Sequence, residues 1–216
     1  LDRRTNAAAR DWIERYARED GEHPFLLTVG YFSPHCPYIA PPEYYTRYEG
    51  VVRAPAFTDE DDARLHPIHK AYMERCGART APRENLDRAA AAYYGLVDYL
   101  DDLVGEVLST LEAQGLLDNT IVIFTSDHGE MLAAHGRWHK DCFFEQSARV
   151  PFIVRYPDGA LRRRVADPSS LVDLFPTLLD LCGAPEHALK LDGTSLVPLM
   201  QGASREPSHT VRCEDY

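Results

Sequence analysis

A short polar cluster follows an apolar run near the middle of the chain. Residues 120–125 are mostly apolar, and Asp127, His128, Gly129 and Glu130 come shortly after them. A carboxylate oxygen and an imidazole nitrogen are both metal ligands, and a glycine permits the sharp turn that lets two adjacent side chains face one ion. The tetrapeptide also fits a turn at a strand end in which the aspartate caps a helix. Glu130 could also be a ligand, but we expect it, as the fourth residue of the turn, to pair or to point to solvent.

Two further residues have the chemistry to act on an anionic group. His35 lies between two prolines in the run Pro-His-Cys-Pro, and such rigid flanks hold a side chain at low entropic cost. An imidazole held there could protonate a leaving oxygen or bind an anion. Lys140 follows the polar cluster by ten positions, and its ammonium group could neutralise anionic oxygens. The alternatives are an ordinary loop histidine and a solvated lysine.

A histidine pair close to Lys140 is a weaker metal-site candidate. His135 and His139 are four positions apart, which would place them on one face of a helix. Gly136 lies between them and disfavours a helix, so we do not favour this pair as a metal site.

The apolar pattern predicts strands that alternate with helices. Buried strands are predicted at residues 25–32, 120–125 and 150–155. Such alternation predicts an α/β fold with a mostly parallel sheet, and ligands bind beyond the carboxyl ends of the strands in such sheets. We therefore expect four side chains to converge at that edge: His35, Asp127, His128 and Lys140.

Helical spacing of apolar residues accounts for much of the remaining chain. It predicts helices at residues 6–20, 84–114 and 169–182. Pro176 lies inside the last of these and predicts a break or a helix start. Residues 37–83 are rich in Pro, Tyr and charge with little periodicity, which is typical of a functional loop or lid.

Composition excludes several classes of partner. The chain carries 34 acidic and 23 basic residues, and a net charge of −11 argues against a nucleic-acid partner. No apolar run approaches the roughly 20 residues that span a bilayer, so no membrane partner is predicted. Five scattered cysteines without a CxxC pair are typical of reduced thiols rather than of a disulfide framework or a zinc ribbon. The first ten residues lack the apolar segment of a signal peptide.

Several segments, taken together and in order, resemble the sulfatase family of the alkaline-phosphatase-like superfamily. The matching segments are residues 24–42, 119–132, 135–140, 143–151, 171–179 and 192–199. Residues 43–83 resemble the family less clearly. The resemblance implies an alkaline-phosphatase-like sandwich in which a mostly parallel central sheet is flanked by helices, incomplete at both ends.

The resemblance also implies roles for the four candidate residues. Asp127 and His128 match metal ligands of the family, Lys140 matches the lysine that contacts the sulfate, and His35 matches the histidine that contacts the sulfate or the ester oxygen. Histidine rather than asparagine at position 128 is similar to choline-sulfatase-like and phosphonate-monoester-hydrolase-like members. The cofactor implied by the resemblance is a divalent ion, Ca²⁺ or Mn²⁺, and an imidazole ligand suits Mn²⁺ better than Ca²⁺.

One expected feature of the family has no counterpart in the sequence. The nucleophile of sulfatases is a formylglycine made from Cys or Ser in a Cys/Ser-x-Pro/Ala-x-Arg motif, and no position fits. The run from Cys76 to Arg79 comes nearest, with its arginine one place too early. The pair of aspartate metal ligands that the family carries on its first strand also has no counterpart in this sequence. We therefore expect residues 1–216 to be the C-terminal part of a catalytic domain, truncated at both ends, with most of the C-terminal subdomain absent.

By resemblance, the intact protein is expected to hydrolyse a small-molecule sulfate ester with a metal ion and a formylglycine, and the 216-residue chain alone is expected to be inactive. One alternative is a phosphodiester or phosphonate monoester hydrolase of the same superfamily, because the residues seen here serve either anion. Another is a non-catalytic degenerate homologue. No oligomeric state is predicted.

Overall fold

The chain divides into two compact units. The computed structural model describes residues 1–19, 21, 23–157, 163–184 and 190–204. The first unit consists of residues 1–120 and 128–150, and the second of residues 121–127 and the described residues from 151 onward. No helix in these described ranges is long and apolar enough to span a bilayer.

Two long helices form the frame of the first unit. They are α1 (Asp2–Glu19) and α5 (Arg83–Ala113). Asn6 Nδ2 and Arg10 Nη1 on α1 donate hydrogen bonds to the Glu106 carboxylate on α5, at 2.7 and 2.8 Å. The helix predicted at 84–114 is therefore confirmed, and the helix predicted at 6–20 begins four residues earlier, at residue 2.

The stretch between residues 37 and 83 contains three short helices. They are α2 (Pro42–Tyr45), α3 (Asp59–Arg64) and α4 (Pro67–Cys76). The prediction of an irregular segment is wrong to that extent. Prolines start α2 and α4, where the missing N–H is not needed. Helices of this length are too short to show a hydrophobic period in the sequence.

The prediction of a strand at residues 25–32 is wrong, because these residues do not pair with a strand in the part of the chain that the structure describes. Exposed and half-buried residues alternate along this segment, and Leu26 and Phe32 are 76% and 49% exposed. Tyr31 Oη donates to Asn6 Oδ1 at 2.6 Å, which ties the inward face to α1. A strand requires a hydrogen-bonded neighbour, and none of the described residues supplies one. The apolar composition predicted an extended backbone but carried no information on its partner.

The second unit contains a pair of strands, β1 (Val122–Thr125) and β2 (Phe152–Arg155). Both lie within the strands predicted at 120–125 and 150–155. They pair antiparallel, with Thr125 opposite Phe152. Within the described ranges this pair is the whole sheet. The mostly parallel sheet therefore stays a prediction, since an apolar run does not encode the direction of its neighbour.

Short helices complete the chain. In the first unit, α6 (Glu145–Ala148) lies between the strands in sequence. In the second unit, a 3₁₀ turn, Leu171–Asp173, leads into α7 (Leu174–Leu181), and α8 (Val197–Met200) follows. Pro176 lies in the first turn of α7, as the predicted helix start requires.

Candidate active site

His35 and Lys140 meet in the first unit. Lys140 Nζ lies 3.3 Å from His35 Nε2, and both side chains are half-buried. His35 Nδ1 lies 2.8 Å from the Cys36 carbonyl oxygen. A carbonyl only accepts, so Nδ1 carries the proton and Nε2 accepts from the ammonium group. The pair therefore presents one imidazole nitrogen and one cation at the same place.

His128 is the third member of this cluster. Its ring centroid lies 5.8 Å from that of His35, in an edge-on arrangement at 69°. His128 Nδ1 donates to the Gly129 carbonyl oxygen at 2.8 Å. A ligating histidine commonly fixes its second nitrogen in this way, which places the lone pair on Nε2. His35, His128 and Lys140 thus lie together in the first unit. The convergence of Asp127 with them and their place at the carboxyl edge of a sheet stay predictions.

Gly129 sets the path of the backbone after His128. Its N–H donates to the Ser147 carbonyl at 2.8 Å. A Cβ added at Gly129 would lie 2.0 Å from the Gln146 carbonyl oxygen, which is closer than any real contact. Glycine is required here because the backbone lies directly against α6. This contact also fixes the position of the neighbouring His128.

Asp2 holds the loop that carries His35. Its two carboxylate oxygens accept from the backbone N–H groups of Phe32 and Ser33 at 2.9 and 3.0 Å, and from Ser33 Oγ at 2.6 Å. Burial alone would raise the pKa of Asp2, but these hydrogen bonds outweigh it, and the pKa lies below the ordinary value. The Phe32 ring packs 4.9 Å from the His35 ring. Nothing in the sequence had singled out Asp2, because its partners lie 30 positions away.

Lys140 lies in a loop, residues 131–141, whose first part is mostly buried. Arg137 anchors that loop with only 2% of its surface exposed. Its guanidinium lies 3.9 Å above the Tyr72 ring of α4, and Nη2 donates to the Asp141 carbonyl at 3.0 Å. Tyr72 Oη donates to the Trp138 carbonyl at 3.1 Å. The loop is therefore fixed from the side of α4.

Glu130 is bound to the backbone of the same loop. Its Oε1 accepts from the N–H groups of Leu132 and His139 at 3.0 and 2.6 Å. Burial first, and the negative charge of Glu130 second, raise the pKa of both Tyr38 and Tyr93. The two phenols consequently stay neutral beside this carboxylate. Glu130 therefore does not simply point to solvent, because its carboxylate accepts from main-chain N–H groups of this loop.

Asp127 belongs to the second unit. It is exposed and follows the end of β1 by two residues, directly before His128 in the chain. A carboxylate oxygen and an imidazole nitrogen are each donor types that suit a divalent ion. Within the described ranges no group of three or more His, Cys, Asp and Glu side chains could hold a metal. The metal-ligand role of Asp127 and His128 therefore stays a prediction.

The His135 and His139 pair does not form a helical metal site. Both residues have positive φ, 52° and 65°, so they do not share a helix face. His135 instead stacks on Phe144 with ring centroids 4.2 Å apart. The α-helical arrangement that such a metal pair would need is therefore absent at these two residues.

Comparison with known proteins identifies the class. A family model described as Sulfatase matches residues 1–184. The chain is 35% identical over 202 residues to the choline-sulfatase of Rhizobium meliloti (strain 1021), covering 89% of this chain and 38% of that protein. It is 31% identical over 209 residues to arylsulfatase K of Canis lupus familiaris, covering 88% and 38%. The solved phosphonate monoester hydrolase SpPMH from Silicibacter pomeroyi matches with a TM-score of 0.77 at 26% identity, covering 94% of this chain and 42% of that one.

The chain belongs to the sulfatase family, within the alkaline-phosphatase-like superfamily. The predicted resemblance is thereby confirmed, and so is the α/β class of the fold. Its relatives are hydrolases, and metal binding is a property of the family. The chain spans about two fifths of the length of these relatives.

Proposed function

We propose that residues 1–216 form the C-terminal part of the catalytic domain of a metal-dependent sulfuric ester hydrolase and supply part of its active site. The observation that carries this proposal is the approach of Lys140 Nζ to His35 Nε2 at 3.3 Å, beside the ring of His128. An ammonium group next to an imidazole nitrogen is suited to an ester whose oxygens bear negative charge. Membership of the sulfatase family makes a sulfate ester the first candidate substrate.

Lys140 and His35 have separate roles in this proposal. The Lys140 ammonium binds the anionic oxygens of the ester and stabilises the charge that develops on them. His35 Nδ1–H donates a hydrogen bond to the Cys36 carbonyl oxygen, so Nε2 is the nitrogen that lies next to Lys140. Nε2, when protonated, donates to the bridging oxygen and assists the departure of the alcohol.

Asp127 and His128 are the proposed metal ligands contributed by this chain. The hydrogen bond from His128 Nδ1 to Gly129 supports a ligand role, because it directs the Nε2 lone pair away from the backbone. When bound, a divalent ion, Ca²⁺ or Mn²⁺, supplies Lewis-acid stabilisation of the ester oxygens. Its positive charge also offsets the net charge of −11 at the place where an anion must bind.

The nucleophile is proposed to come from a segment outside these 216 residues. The family implies a formylglycine, and no position of this sequence lies in the motif from which a formylglycine is made. Loss of a nucleophile costs many orders of magnitude in rate. We therefore expect the 216-residue chain alone to leave an aryl sulfate unhydrolysed, although it carries His35 and Lys140.

A phosphonate monoester hydrolase is the second candidate. The observation that favours it is the likeness to SpPMH, with a TM-score of 0.77 over 94% of this chain. The tetrahedral anions of sulfate and phosphonate esters are similar in shape, and Lys140 and His35 could act on either. The nature of the preferred ester therefore depends on residues beyond this pair.

The test compares both esters with one enzyme. The whole protein would be produced together with a formylglycine-generating enzyme and loaded with Mn²⁺ or Ca²⁺. Its kcat/KM would be measured for an aryl sulfate and for an aryl phosphonate monoester that share one leaving group. A higher value for the sulfate supports the proposal, and a higher value for the phosphonate favours the second candidate. No turnover of either ester would indicate a non-catalytic homologue.

A further inference from the structure

The loop that presents Lys140 has a backbone that L-amino acids usually avoid. Five non-glycine residues have φ between 45° and 69°: Leu132, Ala133, His135, His139 and Asp141. Such left-handed conformations are unfavourable when a Cβ is present and persist only where surrounding groups hold them. His139, with a φ of 65°, directly precedes Lys140 and therefore sets the direction in which that side chain leaves the loop.

Glu130 links the two ends of this loop by hydrogen bonds. One carboxylate oxygen, Oε1, accepts from Leu132 N–H at 3.0 Å near the start and from His139 N–H at 2.6 Å near the end. Beside these bonds, Met131 N–H donates to the His139 carbonyl at 2.7 Å. Both the N–H and the carbonyl group of His139 are thus hydrogen-bonded, the N–H to Glu130 and the carbonyl to Met131.

We propose that Glu130 is a positioning residue for the hydrolytic reaction, acting by holding His139 in its left-handed conformation so that Lys140 stays at His35. This inference rests on the proposed function of the site. Glu130 touches neither the substrate nor the reacting atoms in this account, so its whole effect on turnover passes through Lys140.

The chemistry of the bond explains why a carboxylate serves here. Hydrogen bonds from N–H groups to an ionised oxygen are shorter and stronger than those to a neutral one. Glutamine would keep an oxygen at the same reach and could still accept from both N–H groups. Alanine would leave the Leu132 and His139 N–H groups without this acceptor, at a cost that grows with burial. Leu132 is only 8% exposed.

The experiment is a double-mutant cycle in the whole, formylglycine-bearing protein. Four variants would be compared for kcat and KM on an aryl sulfate: Glu130→Ala, Glu130→Gln, Lys140→Ala and the double variant Glu130→Ala/Lys140→Ala. Glu145→Ala is the matched control, because that glutamate is exposed and its partner Arg149 lies four residues away at 3.4 Å. It should leave kcat unchanged.

The account predicts a strongly non-additive cycle. Glu130→Ala should lower kcat by about tenfold or more in the parent but by less than about twofold when Lys140 is already alanine. Glu130→Gln should stay within about threefold of the parent, since its amide oxygen can replace the carboxylate oxygen. Equal losses in both backgrounds, or full activity of Glu130→Ala, would overturn the inference. A general structural role would give equal losses.

Hydrogen exchange separates this inference from the proposed function. The amides of Leu132 and His139 should lose protection in Glu130→Ala and keep most of it in Glu130→Gln, while α5 stays protected in both. Unchanged protection at His139 would contradict the inference, even if the parent hydrolyses no ester and the proposed function has failed. If Glu130→Ala does not fold, Glu130→Asp replaces it, because the shorter carboxylate cannot span both donors from the same backbone position.

Discussion

Lys140 Nζ lies 3.3 Å from His35 Nε2, although 105 positions separate the two residues in the sequence. Each of the two side chains is positioned by a separate carboxylate within the first unit. Asp2 binds the backbone just before His35, and Glu130 binds the backbone just before Lys140. Two carboxylates that contact main-chain N–H groups thus bring a cation and an imidazole together at one place.

Replacement of Asp127 by alanine is expected to lower metal content together with turnover. A carboxylate ligand is lost, and His128 is left without its neighbouring donor. Because loss of groups that merely orient ligands costs about 10–100-fold in affinity, loss of a ligand should cost at least about tenfold. Bound Mn²⁺ or Ca²⁺ would be measured by elemental analysis of the purified protein.

His135→Ala is the control for this experiment, because His135 stacks on Phe144 and lies outside the proposed ligand set. Its metal content should equal that of the parent. If Asp127→Ala binds metal as tightly as His135→Ala does, Asp127 is not a ligand.

Gly129→Ala is expected to destabilise the protein and to displace His128. The new Cβ would lie 2.0 Å from the Gln146 carbonyl oxygen, and backbone on both sides leaves little room to move. Overpacking of this kind costs about 1–3 kcal/mol or more. Unfolding by denaturant and turnover of the ester would both be measured, and both should fall.

Gly105→Ala gives the matched comparison. Gly105 lies in α5, and a Cβ there would meet no atom within 4 Å. Alanine in an exposed helix position should stabilise by about 0.5–1 kcal/mol. A Gly129→Ala variant as stable and active as Gly105→Ala would show that the close approach to α6 does not constrain the site.

Asp2→Asn is expected to lower stability at neutral pH but not in acid. The hydrogen bonds to Asp2 hold its folded-state pKa below the ordinary value. Its contribution is therefore fully present above the unfolded pKa, about 4, and is lost as the pH falls through the folded pKa. Hydrogen bonds to a charged group contribute about 1.5–3 kcal/mol, which sets the expected loss at pH 7.

Denaturant unfolding of Asp2→Asn at pH 7 and at pH 3 would measure this effect. Asp11→Asn, an exposed position on the same helix, should change stability little at either pH. A difference between parent and Asp2→Asn that is as large at pH 3 as at pH 7 would mean that the charge of Asp2 contributes nothing.

Part of the fold followed from the sequence, and the elements that did not follow have a common cause. The helix at 84–114 was readable because its apolar residues repeat over many turns, and α4 was not because it has only ten residues. The segment at 25–32 has the composition of a strand, but strand pairing depends on a second segment that composition does not reveal.

The site shows the same limit at the level of single residues. Residue type and position singled out His35, His128 and Lys140 as candidates, and the resemblance to a family then assigned them roles. Asp2 and Glu130 were not assigned their roles, since each acts on backbone N–H groups that become neighbours only after the chain turns. The left-handed φ of His139 leaves no trace in residue type, as histidine is an ordinary loop residue.

The measurement that tests the central claim most directly is the turnover of Lys140→Ala compared with Lys190→Ala in the whole protein. Lys190 is an exposed lysine of the second unit and serves as the matched control. Loss of one group that stabilises charge in a transition state typically lowers the rate by about 10²–10³. Lys140→Ala should show that loss on an aryl sulfate, with a stability within about 0.5 kcal/mol of the parent and unchanged bound metal, because no core cavity and no ligand is involved. Lys190→Ala should match the parent in all three. Near-normal turnover in Lys140→Ala would remove the lysine from the active site and contradict the account.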